Sequence, residues 1–325
     1  MPRTYDETAV VGGKWAGNAD EEQAERPRKA KVGKTIAAPK TSYESSSDVQ
    51  RWLQEQSLTQ RTRPPFDPSF LAGRRDREWI LSSLNHFYEN ELIDDLLFEV
   101  KSGKEATVYC CRAGQQLDTE FVAAKIYRPR MFRSLSNDAV YREGRTPRNE
   151  RGRIARGTRR TGPSRSSEKG RAFQVSAWID HEYGTLEYLY DGGIAVPQPI
   201  AHVGNSILME FVGDGTGAAP LLREVRLPAA EAGPLFTNLL ENIELSLKHH
   251  RIHGDLSAYN VLYWQGRALI IDVAQAVDPR LSADAFELLA RDVERICDYF
   301  RRYGLGANGS ALAQEMWERY MMGGE

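Results

Sequence analysis

Cysteine is scarce: Cys110, Cys111 and Cys297 are the only three in 325 residues. Adjacent cysteines bridge poorly and one is left over, so a disulfide scaffold or a zinc ribbon is excluded. Long hydrophobic runs are also missing. None approaches the roughly 18 apolar residues needed to cross a bilayer, and the first thirty residues hold acids and glycines in place of an apolar leader core. The expectation is a cytoplasmic protein with no membrane partner. No internal repeat occurs, which disfavours arrays and propellers. What remains, at 41% hydrophobic and 27% charged residues, is a globular chain long enough for one two-lobed domain or two smaller ones.

Net charge is nearly absent at a formal -2, but its distribution is uneven. Arg128 to Arg171 holds 14 Lys+Arg against 4 Asp+Glu, a local +10, which leaves -12 for the rest. Within it, Arg145 to Lys169 has almost no large apolar residue and cannot offset its own ordering entropy, so it reads as a mobile loop inserted in a domain. Residues 1–65, with several prolines and the run Ser45-Ser46-Ser47, read as a disordered tail, and 66–325 as the folded domain.

Regular order is expected from Asp76, where Ile80, Leu84 and Phe87 open a helical pattern that runs to about Leu97. Strands are expected over Thr107–Arg112 and Phe121–Tyr127, with a short strand before Ser102, and a helix over Phe173–Tyr190. A strand pair, Ile200–Val203 and Ser206–Phe211, turns at Gly204-Asn205. Leu235, Leu239, Ile243 and Leu247 mark a second long helix. Strands Val261–Trp264 and Ala268–Val273 follow, then helices over Ala283–Tyr303 and Ser310–Met321.

One segment carries the chemistry: His253-Gly254-Asp255-Leu256-Ser257-Ala258-Tyr259-Asn260, a hairpin, then Ile270-Ile271-Asp272. Phosphoryl transfer needs a carboxylate to position the acceptor and oxygen ligands for Mg2+, because positioning and charge neutralisation do most of the catalysis. Asp255, Asn260 and Asp272 supply those oxygens. Each alone is an ordinary turn residue; clustered between apolar strands they point to a phosphotransferase. Upstream, Ser102-Gly103-Lys104-Glu105-Ala106-Thr107-Val108 offers small residues where backbone N–H groups can approach phosphate. Lys125 then sits in the apolar strand Val122–Tyr127, either on a solvated strand face or on the inner face of a nucleotide cleft, and its place one hairpin after the Gly turn favours the cleft. His253 is expected to brace the catalytic loop by hydrogen bonding, and His249 and His250 to sit at a helix end.

Together these pieces resemble the RIO family of atypical serine/threonine protein kinases over roughly Asp76 to Tyr303: SGKEATVY, AAKIYR, WIDHE, LMEFVGDGTGAAP, HGDLSAYN, IIDVAQAV and RDVERICDYFRRYG. The KEA-x-VY loop and the EFxG…AAP segment set this pattern apart from ordinary protein kinases. The resemblance implies an α+β, bilobal protein-kinase-like fold: a β-rich N-lobe over about 76–211, carrying the basic insert 128–171, and a shortened helical C-lobe over about 212–325. It implies ATP and Mg2+, with Mn2+ as a substitute, and γ-phosphate transfer to a protein Ser/Thr or to the protein's own aspartate. Lys125 would bind phosphates with Glu182 as its ion-pair partner, and Glu187 as the alternative in another register. Asp255 would be the catalytic aspartate, Asn260 and Asp272 the metal ligands, with Asp272 also the candidate phospho-acceptor. Ser102, Gly103, Lys104, Glu105, Ala106 and Val108 would cover the phosphates. Met209 would be the gatekeeper, with the backbone of Glu210 and Val212 on adenine.

Two features depart from ordinary kinases. Asp272 is followed by Val273-Ala274 where they have Phe-Gly, and 53 residues follow it, so no activation segment with peptide-docking helices is expected. Aminoglycoside and choline kinase-like enzymes share an HGDL…N…IID pattern but need a larger C-terminal subdomain. A third reading is an ATPase switch in RNA–protein assembly, since RIO proteins act in small-subunit ribosome maturation. Ribosomal RNA or a pre-ribosomal particle then joins an unidentified protein substrate as partner, and the arginines of the insert suit either RNA phosphates or the acidic remainder of the chain.

Overall fold

The computed structural model describes residues 63–128 and 168–323. Nearly all of the N-terminal tail and of the basic insert therefore lies outside the described residues. Helix α1, Arg77–Glu89, buries Ile80, Leu84 and Phe87 at spacings of four and three, with Trp79 beside Ile80, one face of a 3.6-residue helix. It does not run to Leu97. Glu91 takes a left-handed conformation, φ 57°, and strand β1 occupies Ile93–Ser102. The misreading has a physical cause: three register shifts against the next strand break the alternation, so Ile93 and Leu96 fall three apart as they would on a helix. Order also starts earlier than Asp76, because Phe66 and Leu71 are buried beside α1 and Arg63 donates to the Tyr88 carbonyl and to Asp94.

Strands β2 (Ala106–Ala113), β3 (Phe121–Tyr127), β4 (Pro199–Val203) and β5 (Ser206–Glu210) complete an antiparallel sheet of order β1-β2-β3-β5-β4. One face packs under α1 through Tyr109, Cys111, Val122, Ala124 and Leu208. The other carries Val108, Cys110, Ala123 and Met209. Helix α2, Glu168–Asp191, lies between the sheet and the helical lobe: Trp178 and Ile179 pack with Tyr127, Ile207 and Ala274, whereas Leu186 and Leu189 enter the core of the helical lobe.

Past the sheet, the two-residue strands β6 (Gly213–Asp214) and β7 (Gly217–Ala218) pair, a hairpin too short for a period to reveal. Helix α3 spans Ala229–Lys248, β8 Val261–Trp264, β9 Arg267–Ile270, α4 Ala285–Arg301 and α5 Gly309–Met321. Their core is set by Leu235, Leu239, Ile243 and Leu247 on α3 and by Leu289, Val293, Ile296 and Phe300 on α4. Strand β9 stops at Ile270, short of Val273, because Asp272 is left-handed at φ 65° and Val273–Gln275 wind into a 3-10 turn. This is the α+β bilobal architecture, with a compact helical lobe. All three cysteines are free and buried. Among the described residues no helix is long and apolar enough to cross a membrane.

Candidate active site

Gly103 turns the chain from β1 into β2: its N–H donates to the Ala106 carbonyl at 2.9 Å, and a Cβ there would lie 3.1 Å from that oxygen. Ser102, Lys104 and Glu105 are exposed along this turn. Arg128, the last residue of AAKIYR and given no role of its own from the sequence, spans its base. The backbone N–H donates to the Glu105 carbonyl at 2.7 Å, Nε donates to Thr107 Oγ1 at 3.0 Å, and Nη2 reaches Thr107 Oγ1 and the Ser102 hydroxyl.

The antiparallel register sets Val108 opposite Lys125 and Ala123 opposite Met209, so these four side chains share a face. That face is apolar except at Lys125, whose Nζ donates to Glu182 Oε1 at 2.5 Å and to Asp272 Oδ1 at 3.2 Å. Glu182 is 4% exposed on α2, and its other oxygen accepts the Tyr127 hydroxyl. Glu187 is exposed and bonds Tyr183, so the register that pairs Lys125 is that of Glu182. Burial would push the Lys125 ammonium down, but the carboxylates of Glu182 and Asp272 outweigh it and hold it well above the ordinary lysine value. Lys125 in turn holds the Asp272 carboxyl below the usual carboxylate range.

The loop of His253 to Asn260 and the Asp272 segment are laced together. Ile252 and Val277 exchange backbone hydrogen bonds at 3.0 and 2.9 Å, and the Ile271 N–H donates to the Asn260 carbonyl at 2.9 Å. His253 Nε2 contacts the Ile271 carbonyl at 3.1 Å, and Nδ1 accepts the Asp255 N–H at 3.3 Å. His253 thus braces this loop. Asp292 of α4, 1% exposed, accepts the N–H groups of Gly254 and Leu256 at 2.7 and 2.8 Å. Burial pushes its carboxyl up, against the pull of those two donors. Asp255 is exposed, and Arg295 Nη1 meets its Oδ1 at 2.7 Å. The Asn260 amide nitrogen donates to the Asp255 carbonyl at 2.8 Å, which leaves the amide oxygen for another partner. An amide oxygen and an exposed carboxylate on adjoining segments fit Mg2+, which takes few protein ligands and keeps its waters and substrate phosphates. Among the described residues no three His, Cys, Asp or Glu side chains form a ready metal site by themselves.

At the end of β5, Met209 is half-buried, the Glu210 N–H donates to the Gln198 carbonyl at 2.8 Å, and the Val212 carbonyl accepts from Ala219 at 2.8 Å. Leu262 and Leu269 of the β8–β9 hairpin pack against Val212 and Ala219, an apolar contact behind the segment that follows β5 which sequence reading did not assign to the site. His249 and His250 end α3 away from this cluster, where His250 Nδ1 meets the Tyr320 hydroxyl at 2.9 Å.

The description of the RIO domain matches this chain over residues 108–311, more than half its length. The chain belongs to the RIO domain family. Relatives of this RIO chain include the RIO-type serine/threonine-protein kinase Rio1 of Haloferax volcanii, 33% identical over 215 residues, with 66% of each chain covered. The serine/threonine-protein kinase rio1 of Schizosaccharomyces pombe is 29% identical over 241 residues, 71% of the RIO chain and 42% of the relative. The chain therefore spans less than two thirds of these relatives' own lengths. Among solved structures, the Rio2 kinase from Chaetomium thermophilum shares the fold at a TM-score of 0.50 and 20% identity, covering 79% of the RIO chain and 71% of that one.

Proposed function

We propose that this RIO protein is an ATP-dependent, Mg2+-requiring serine/threonine protein kinase. The observation that carries the reading is the convergence of Lys125, Glu182 and Asp272 beside the braced loop of Asp255 and Asn260. The names of the Rio1 relatives support it.

In this reading the γ-phosphate of ATP passes to a protein hydroxyl. The acceptor oxygen bonds the γ-phosphorus, the bond from that phosphorus to the β,γ-bridging oxygen breaks, and ADP leaves with the electron pair. Asp255 accepts the hydroxyl proton, and Arg295 holds its carboxylate in place. Lys125 pairs with the α- and β-phosphates, and the turn Ser102–Ala106, with Val108 behind it, covers the phosphate chain. Val108, Ala123 and Met209 face the adenine, and the Glu210–Val212 backbone meets its polar edge. Asn260 and Asp272 would hold Mg2+, which when bound neutralises charge on the β- and γ-phosphates.

Protein is the acceptor class the relatives' names support. The +10 charge of Arg128 to Arg171 supports a nucleic-acid partner, with ribosomal RNA or a pre-ribosomal small subunit as the form implied by the family resemblance. The test is Mg2+-dependent ATP turnover with and without a protein acceptor. Asp272→Asn should lower turnover by at least about a hundredfold, since the amide removes the charge that anchors the metal. Wild-type turnover by a folded Asp272→Asn protein would overturn the site. Turnover that yields only free phosphate, whatever protein is added, would favour the ATPase switch.

A further inference from the structure

Tyr127 ends β3 two residues beyond Lys125, so the two side chains leave the same face of the strand. Its hydroxyl donates to Glu182 Oε2 while Lys125 donates to Oε1 at 2.5 Å, so a single carboxylate is held at both oxygens. The tyrosine is fully buried. Its ring meets Trp178 edge-on at 5.2 Å, and the Lys125 ammonium lies 5.3 Å from its centroid. The backbone is equally fixed: its N–H donates to the Asn205 carbonyl at 2.9 Å, and its carbonyl accepts the Asn205 amide at 3.3 Å. Asn205 is itself buried and donates to Ser83 of α1 at 2.9 Å. The hydroxyl therefore belongs to a frame that leaves it little freedom to swing.

We infer that Tyr127 is a positioning residue for nucleotide binding: its hydroxyl fixes Glu182 so that one carboxylate oxygen is always presented to Lys125, which keeps the ammonium aimed into the cleft. The inference rests on the kinase reading above. Lys125 has two acidic neighbours, and the balance between them decides where the ammonium points. With Glu182 anchored, Lys125 stays between Glu182 and Asp272, where phosphates can reach it. Without the hydroxyl, a buried carboxylate oxygen loses its donor, Glu182 is no longer held at both oxygens, and Lys125 is released towards Asp272. Burial and the adjacent Glu182 push the Tyr127 phenol well above its ordinary value, so it remains a donor throughout the working range.

The test is Tyr127→Phe in the full chain, which keeps the ring against Trp178 and deletes the hydroxyl. The dissociation constant for MgATP should rise about tenfold at neutral pH, the scale of a hydrogen bond to a charged group. The KM for ATP should rise with it while kcat changes less, because the hydroxyl acts on where the ammonium is held and not on the transferred group. Glu182→Gln should weaken MgATP binding alone, and adding Tyr127→Phe to it should change little more, since the hydroxyl acts through the carboxylate. A Tyr127→Phe protein that melts earlier, but whose folded form binds MgATP as the wild type does with an unmoved KM for ATP, would make the contact purely structural and overturn the inference alone. A wild-type protein that binds no MgATP would overturn the kinase reading and this inference together.

Discussion

Gly254 sits inside the loop that carries Asp255 and Asn260 at φ 80°, and a Cβ there would lie 2.9 Å from the Gln275 carbonyl. Gly254→Ala therefore combines left-handed strain with a backbone collision that no side chain can absorb, and should cost about 2–4 kcal/mol. Denaturant unfolding should show that loss, and the surviving folded protein should turn over poorly, because the Gln275 segment follows Asp272 directly. Asp272 makes a second prediction. Lys125 depresses its carboxyl, so the native pair contributes stability present above the ordinary carboxylate value of 3.8 and lost as pH falls through the lower native value. The side chain is 55% exposed, so screening limits the contribution to under about 1 kcal/mol. The stability difference between wild type and Asp272→Asn should be present at pH 7 and shrink below about pH 4, checked by urea unfolding across that range. Lys125, Asp255, Asn260 and Asp272 were legible because a charge or amide between apolar strands is unusual. Tyr127, Arg128, Asp292 and Arg295 were not, since a tyrosine ending an apolar strand reads as core and charges on an amphipathic helix read as its wet face.

Elements were legible where one period ran unbroken. Strands β3 and β8 fall where their alternation and apolar content put them, and α3 to α5 follow their leucine and aromatic stripes. The failures share one cause: a local backbone irregularity that changes the period without changing composition. Bulges gave β1 a helical spacing, and left-handed Asp272 cut β9 short in a segment that stays apolar through Val273 and Ala274. The boundary at Glu91 can be tested through what α1 supports. Leu84 is fully buried against the sheet, and Leu84→Ala should cost about 2–5 kcal/mol through lost burial and the cavity left behind. Ser83 accepts from Asn205 and its carbonyl from Ser206, so loosening α1 also loosens the turn that holds the Tyr127 backbone. MgATP affinity should therefore fall with stability in Leu84→Ala. Substituting exposed Glu78 of α1 by Ala should leave both near wild type.

At the scale of the whole molecule, the unevenness of charge sets up the remaining test. The basic insert is joined to the fold through Arg128 at the end of β3, and the described residues resume at the start of α2, Glu168. The sequence predicts an insert that adds nothing to the core, so deleting residues 145–167, which removes eight arginines and one glutamate and stops short of α2, should leave the thermal midpoint and MgATP binding close to wild type. If the arginines meet RNA phosphates, RNA affinity should fall and its salt dependence should flatten, because each lost contact withdraws a released counterion worth about 0.7 in the slope of log K against log salt for a single strand. If they fold back over the nucleotide, RNA affinity should be unchanged and ATP turnover without acceptor should rise. We expect the first outcome, since seven net positive charges with almost no aromatic residues suit phosphate contact without base stacking. Affinity and turnover measured at two salt concentrations separate the cases, and a deletion that moves neither would reject both roles for the insert while leaving the Lys125, Glu182 and Asp272 cluster intact.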